Sequence, residues 1–204
     1  MLFADILLQA IFFWMNYLAH IVLSGDRPLH LVGNYAGDFI KGRNMDAYPA
    51  LMRQGAVAHR AIDSFTDSHA SVRASVHIFR PVAGRYSGII MDVLFDYFIS
   101  QHWSLVSHLP REKFIDAAET ILWNHRFLMP AHARRLLPSL IFQKYLRAYI
   151  SFYGLRRVFR RMASRTSLPD VSEQVVLLLA ENHEELNEHF LLFWSELREY
   201  ARDL

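Results

Sequence analysis

The chain of 204 residues contains no cysteine. That excludes a disulfide framework, thiolate metal ligands and a cysteine nucleophile together, and it suits a reducing cytoplasmic compartment. Glycine and proline are sparse, at eight and seven, which excludes low-complexity and collagen-like chains. Charged side chains reach only 21 % against 52 % hydrophobic residues, so charge is confined to a thin surface over one sizeable core or at most two small ones. Alternating β patterns, hairpin dipeptides, a G-x-G-x-x-G phosphate loop, internal repeats and Ser/Gly linkers are all missing. Acidic residues are missing from a long window, Thr120 to Pro169.

The N-terminal "MLFADILLQAIFFWMNYLAHIVL" is apolar for over twenty residues, but it includes Asp5, Gln9, Asn16 and His20. It has no basic n-region and no small-residue cleavage site, which argues against a secretory signal. Its length would reach across a bilayer, but its polar residues weigh against a span. Met15 is a second plausible start. The expectation is an extension or upstream start over residues 1–14, or else a buried first helix, with the domain proper beginning at "MNYLAH".

What is present is helical periodicity. "YPALMRQGAVAHRAIDSFTDSH" predicts a helix opening near Pro49, and "GRYSGIIMDVLFDYFISQHWSLVS" a strongly apolar one. "LPREKFIDAAETILWNHRFLM" predicts a helix with Pro110 at its first position. "PAHARRLLPSLIFQKYLRAYISFYG" predicts a helix kinked near Pro138. A short basic helix should follow Gly154, and a last one should close the chain from a cap at Asp170 or Ser172. The fold expectation is one compact all-α domain of about six to eight helices.

Polar groups recur in these apolar helices at spacing four. In "HRAIDSFTD", His59, Asp63 and Asp67 share one helical stripe. In "IIMDVLFDYFI", nine of eleven residues are apolar and the other two are Asp92 and Asp96. A helix apolar on all sides is buried, and an ionised carboxylate buried alone costs several kcal/mol. Something cationic, a metal ion or Arg or Lys, must face the pair. Asp38 sits in "LVGNYAGDFIKG", where Gly33, Gly37 and Gly42 permit close backbone approach. His20 adds an imidazole. Imidazole plus carboxylate is the ligand set of Mn, Fe, Mg or Zn in hydrolysis. A satisfied core histidine is the plainer reading of His59, and a helix-end carboxylate before Ser68 is an equal alternative for Asp67.

"MNYLAH", "GNYAGDFIKG", "HRAIDSFTD", "MDVLFDYFISQHW" and "MASR" occur in this order. Together they resemble the acyl carrier protein phosphodiesterases, over residues 15–204. The resemblance implies an all-helical, divergent His-Asp phosphohydrolase fold and a cytoplasmic enzyme of fatty acid and lipid metabolism. It implies hydrolysis of the phosphodiester joining 4′-phosphopantetheine to the serine of holo acyl carrier protein, giving apo carrier protein and 4′-phosphopantetheine. The implied cofactor is a divalent metal, typically manganese, with magnesium, iron or cobalt as alternatives. Asp38, His59, Asp63 and Asp92 match the strongest motif positions, followed by His20, Asp67 and Asp96. The expected metal ligands are His20, Asp38, His59, Asp63 and Asp92. Asp67 or Asp96 would orient water or take its proton, and Lys41, Arg43 or Arg60 would hold phosphate charge. The chain departs from the wider superfamily in one respect: Arg60 follows His59, where a consecutive His-Asp pair is the hallmark.

The acid-free window holds ten basic residues, Arg126, Arg134, Arg135, Lys144, Arg147, Arg156, Arg157, Arg160, Arg161 and Arg165, while the rest of the chain carries a balance of −8. Such segregation attracts an anionic partner, and the resemblance implies an acidic holo carrier protein docking on Arg126–Arg165. The sequence also accommodates a hydrolase of nucleotides or small phosphoesters, or a non-enzymatic basic module on membrane or nucleic acid. The expectation is neither nucleic-acid binding nor stable membrane insertion; oligomeric state is open. "ENHEELNEH" is not a zinc motif but a solvated helix face. His125 and His132 are isolated, and Ser24 and Ser64 have no triad. The aromatics between Phe142 and Phe159 read as core, or as the lining of a channel for the pantetheine arm.

Overall fold

A computed structural model describes residues 17–204. The expected extension over residues 1–14 and the start at Met15 lie outside the described residues. Within them every regular element is helical and there is no strand, as the periodicity predicts. The α-helices are α1 (Tyr17–Leu23), α2 (Pro28–Tyr35), α3 (Ala50–Ser68), α4 (Ala70–Ala83), α5 (Ser87–Gln101), α6 (Trp103–Val106), α7 (Arg111–Asn124), α8 (Ala131–Phe142), α9 (Tyr145–Ala148), α10 (Phe152–Ala163), α11 (Ser172–Glu181) and α12 (His183–Ala201). Two 3-10 turns, Gly37–Phe39 and Gly42–Ala47, join α2 to α3. No helix among the described residues is long and apolar enough to cross a membrane.

The apolar α5 lies at the centre. Ile90, Leu94, Phe98 and Ile99 are fully buried, and Phe95 stacks on Phe193 of α12 at 4.8 Å between ring centroids. α1 and α4 pack against α5, and α2 lies along α3. The α2–α3 approach depends on Gly33: a Cβ there would stand 2.0 Å from the backbone oxygen of Met52. That backbone-to-backbone contact brings the end of α2 and its following turn onto the polar stripe of α3.

The helices are more numerous than the expected six to eight because several long periodic stretches are broken. The closing stretch divides at Asn182 into α11 and α12. In the stretch after Pro130, Pro138 lies inside α8, and the helix ends before Lys144, whose φ of +53° is left-handed. Pro110 caps α7 rather than opening it, with ψ 135°. The basic helix α10 includes Gly154 instead of following it, and Ser151 caps it by accepting from the Gly154 amide at 3.1 Å. α4, which the sequence reading passed over, is capped by His69 Nδ1 accepting from the Ser71 amide at 3.2 Å.

Candidate metal centre

Four elements converge on one cluster. α1 brings His20, the turn after α2 brings Asp38, α3 brings His59, Asp63 and Asp67, and α5 brings Asp92. His20, His59 and Asp63 each offer a ligand atom within 4.8 Å of the other two. His20 Nε2 is 3.1 Å from Asp63 Oδ1, and His59 Nε2 is 3.2 Å from Asp63 Oδ2 and 3.5 Å from Asp38 Oδ1. The two imidazoles stack with centroids 4.1 Å apart. Gly37 makes this geometry possible, since a Cβ there would lie 2.4 Å from Cβ and Cγ of His59.

The protonation of His20 follows from its partner. Asn34 donates through Nδ2 to the His20 carbonyl and to Ser24 Oγ, both at 3.0 Å, and Ser24 Oγ donates to the same carbonyl at 2.7 Å. These bonds fix the amide, so Asn34 Oδ1 faces His20 Nδ1 at 2.8 Å and accepts its proton. A neutral His20 then presents a bare lone pair from Nε2 toward Asp63. Burial, with the neighbouring His59, lowers the His20 pKa and favours that neutral form. A lone pair facing a carboxylate oxygen is repulsive unless a cation lies between them. His59 Nε2 is likewise buried and close to two carboxylates, and it is aligned for a hydrogen bond with neither.

The carboxylates lack other compensation. Among the described residues no Lys or Arg forms an ion pair with Asp38, Asp63, Asp67 or Asp92. Burial pushes the Asp92 carboxyl well above the usual range, and the charges of Asp63, Asp67, Asp96 and Asp38 push it further. Asp67, at the exposed edge, is raised by partial burial and by Asp63. Burial raises Asp63, but His20, His59 and Arg60 outweigh it and hold the group low. Burial opposes charging of His59, and Asp38 and Asp63 overcome it, raising its pKa. Two imidazoles and four crowded carboxylates, none of them ion-paired to Lys or Arg among the described residues, are a donor set that fits a dication.

The other expected site residues lie elsewhere. Asp96 is fully buried, but its oxygens accept from the Leu18 and Ala19 amides, both at 3.0 Å. It caps α1, the helix that carries His20, so Asp92 and Asp96 face two different problems rather than sharing one. Arg60 donates to the carbonyls of Ile40 at 3.0 Å and Gly37 at 3.4 Å, bracing the turn that holds Asp38. Lys41 is exposed beside that turn, and the Arg43 side chain lies outside the described residues. Asn34 escaped the sequence reading; its one signal is a lone amide inside the apolar "LVGNY". In "ENHEELNEH" the glutamates Glu184, Glu185 and Glu188 are exposed as expected, but His183 turns inward to Tyr97 at 3.2 Å and His189 to Ser75 at 3.0 Å.

The basic window divides into paired and unpaired groups. Arg147 is taken up by Glu112, Asp116 and Glu119, and Arg156 and Arg160 by Glu173. Arg126 stacks on Trp123 and Phe127, and Arg134 approaches the same Phe127. Arg135, Arg157, Arg161 and Arg165 have no acidic partner among the described residues.

Fold and site together define an all-α protein with a histidine–aspartate centre suited to a divalent cation. The sequence model of the acyl carrier protein phosphodiesterases matches residues 15–197, and the chain belongs to that family of enzymes. It is 32 % identical to the acyl carrier protein phosphodiesterase of Klebsiella pneumoniae (strain 342) over 190 residues, 93 % of this chain and 98 % of the relative. The protein of the same name from Enterobacter sp. (strain 638) is 30 % identical over equal shares, and that from Yersinia pestis 28 % identical over 92 % of this chain and 98 % of its own. No solved structure matches the chain.

Proposed function

We propose that the protein hydrolyses the phosphodiester between 4′-phosphopantetheine and the serine of holo acyl carrier protein, using a divalent metal, manganese first among the candidates. The observation that carries this reading is the convergence of His20 Nε2 and His59 Nε2 on the two oxygens of Asp63, in a chain belonging to this family. His20, Asp38, His59, Asp63 and Asp92 would hold the ion. When bound, such an ion supplies Lewis acidity toward phosphoryl oxygens and toward water.

The chain's own groups do the rest. Asp67, exposed at the edge of the cluster, takes the proton of the water that attacks phosphorus and returns it to the serine oxygen as the P–O bond breaks. Its raised pKa suits a group that must both accept and release a proton. Lys41 stands at the rim, where it meets phosphate charge. Arg60 holds the Asp38 turn in place, and Asp96 holds the N-terminus of α1 and therefore His20. The unpaired arginines of α8 and α10 attract the acidic carrier and speed encounter.

The test is incubation of purified protein with holo carrier protein and Mn²⁺, followed by intact-mass spectrometry. Conversion to apo carrier protein with release of 4′-phosphopantetheine, abolished by EDTA, supports the reading. An unchanged holo carrier beside rapid hydrolysis of a nucleotide or small phosphoester would replace it with a different substrate.

A further inference from the structure

A cavity of about 190 Å³ lies beside the centre, and nothing in the site described so far uses it. Its walls include Tyr17, Tyr35, Tyr145 and Tyr149, and its rim includes Arg135 and Arg165. Two structural threads tie it to the cluster. Tyr17 stands one helical turn before His20 on α1, close enough to Asp38 for that carboxylate to raise its phenol further after burial and Tyr35. Tyr35 ends α2, three residues before Asp38, and its hydroxyl donates to the Ala133 carbonyl of α8 at 3.2 Å. Tyr17 and Tyr35 therefore tie the cavity to the elements that carry His20 and Asp38, while Arg135 and Arg165 are exposed on the basic face, where Arg165 reaches Ser139 at 3.3 Å. Phenol rings at the walls, and cations confined to the rim, suit a slender, uncharged chain carrying amide groups.

We propose that this cavity is the subsite for the amide-bearing arm on the far side of the phosphodiester, holding it while the phosphate rests at the centre. The inference rests on the carrier-protein reading above and adds the place where the arm lies. Tyrosine rings pack against its methyl and methylene groups. The expected consequence is discrimination: a bare phosphodiester lacks the arm and gains nothing from the cavity.

The experiment compares kcat/KM for holo carrier protein with kcat/KM for bis(4-nitrophenyl) phosphate, both with Mn²⁺, in wild type, Ser139→Trp and Leu136→Trp. Ser139 and Leu136 line the cavity from α8 and are only partly buried, so an indole can enter without dislodging a core residue. Thermal melting reports whether each variant folds. The expected result is at least a tenfold fall in the ratio of the two rates in both variants. In parallel, pantetheine, which has the arm but no phosphate, inhibits wild-type turnover of holo carrier competitively and inhibits the variants at least tenfold less. Folded variants that keep the wild-type ratio and the wild-type inhibition would overturn the subsite while leaving the carrier-protein reading intact. Wild-type protein without activity on holo carrier would overturn that reading, and this inference with it.

Discussion

Asn34 decides which nitrogen of His20 carries the proton: with its amide anchored to the His20 carbonyl and Ser24, its oxygen can only accept from Nδ1. The consequence reaches the centre, because Nε2 is then left as a lone pair aimed at Asp63. Outer partners of this kind orient a metal-binding imidazole and set its basicity.

Asn34→Ala therefore weakens Mn²⁺ binding by about 10–100-fold. It also leaves buried polar groups unpaired, at a cost of about 1–3 kcal/mol of stability. Isothermal titration with Mn²⁺ and thermal melting read the two effects separately. Unchanged affinity in a folded variant would show that the tautomer of His20 is irrelevant to binding.

Gly37→Ala places a methyl group 2.4 Å from the His59 ring. Either the imidazole or the Asp38 turn must move, so turnover falls at least tenfold. The cost in stability is about 1–3 kcal/mol, the range for forcing one extra methyl group into a packed site. Steady-state kinetics beside a melting curve check the expected split.

Asp96 gives a pH signature in the metal-free protein. Burial raises its pKa to about 7, against the pull of the Leu18 and Ala19 amides and of Arg111. A carboxyl that titrates higher folded than unfolded binds the extra proton in the native state. Its contribution is full below the ordinary aspartate value and is lost as pH rises to about 7. Stability should fall across that window, and Asp96→Asn should flatten the fall by up to about 1.4 kcal/mol per pH unit. Urea unfolding at a series of pH values measures the slope; equal slopes in both proteins would contradict the assignment.

The basic face separates by partner. Arg147, mostly buried among three acids, is structural, and Arg147→Ala should destabilise the fold by about 1–3 kcal/mol through the unpaired Glu119. Arg134→Glu combined with Arg135→Glu should leave the melting temperature within a few degrees of wild type. It should slow association with holo carrier protein by about tenfold or more at low salt, less at high salt. Stopped-flow binding at two ionic strengths distinguishes the cases.

Much of the centre was legible in the sequence because chemistry and period coincided. His59 and Asp63 at spacing four on one stripe, and Asp92 in an otherwise apolar helix, announced an electrostatic problem that the fold does bring together. Asp96 carried the same signal for a different reason: a buried carboxylate can also cap a helix distant in sequence, and spacing cannot distinguish a metal from a pair of amides. Asn34 gave almost no signal, since its role depends on α1 lying against α2. Helix breaks at Lys144 and Asn182 were hidden because tertiary packing, not a glycine or proline, ends those helices. The basic window was visible as composition, but which arginines are free depends on where Glu112, Asp116, Glu119 and Glu173 fall in space.

The most direct measurement is an anomalous difference map at the manganese edge from crystals grown with MnCl₂. The expected result is a peak bonded to Nε2 of His20 and of His59 and to Asp63 oxygens, with Asn34 still on Nδ1. A map with no peak there, and Asp63 joined to protonated imidazoles by hydrogen bonds instead, would contradict the account.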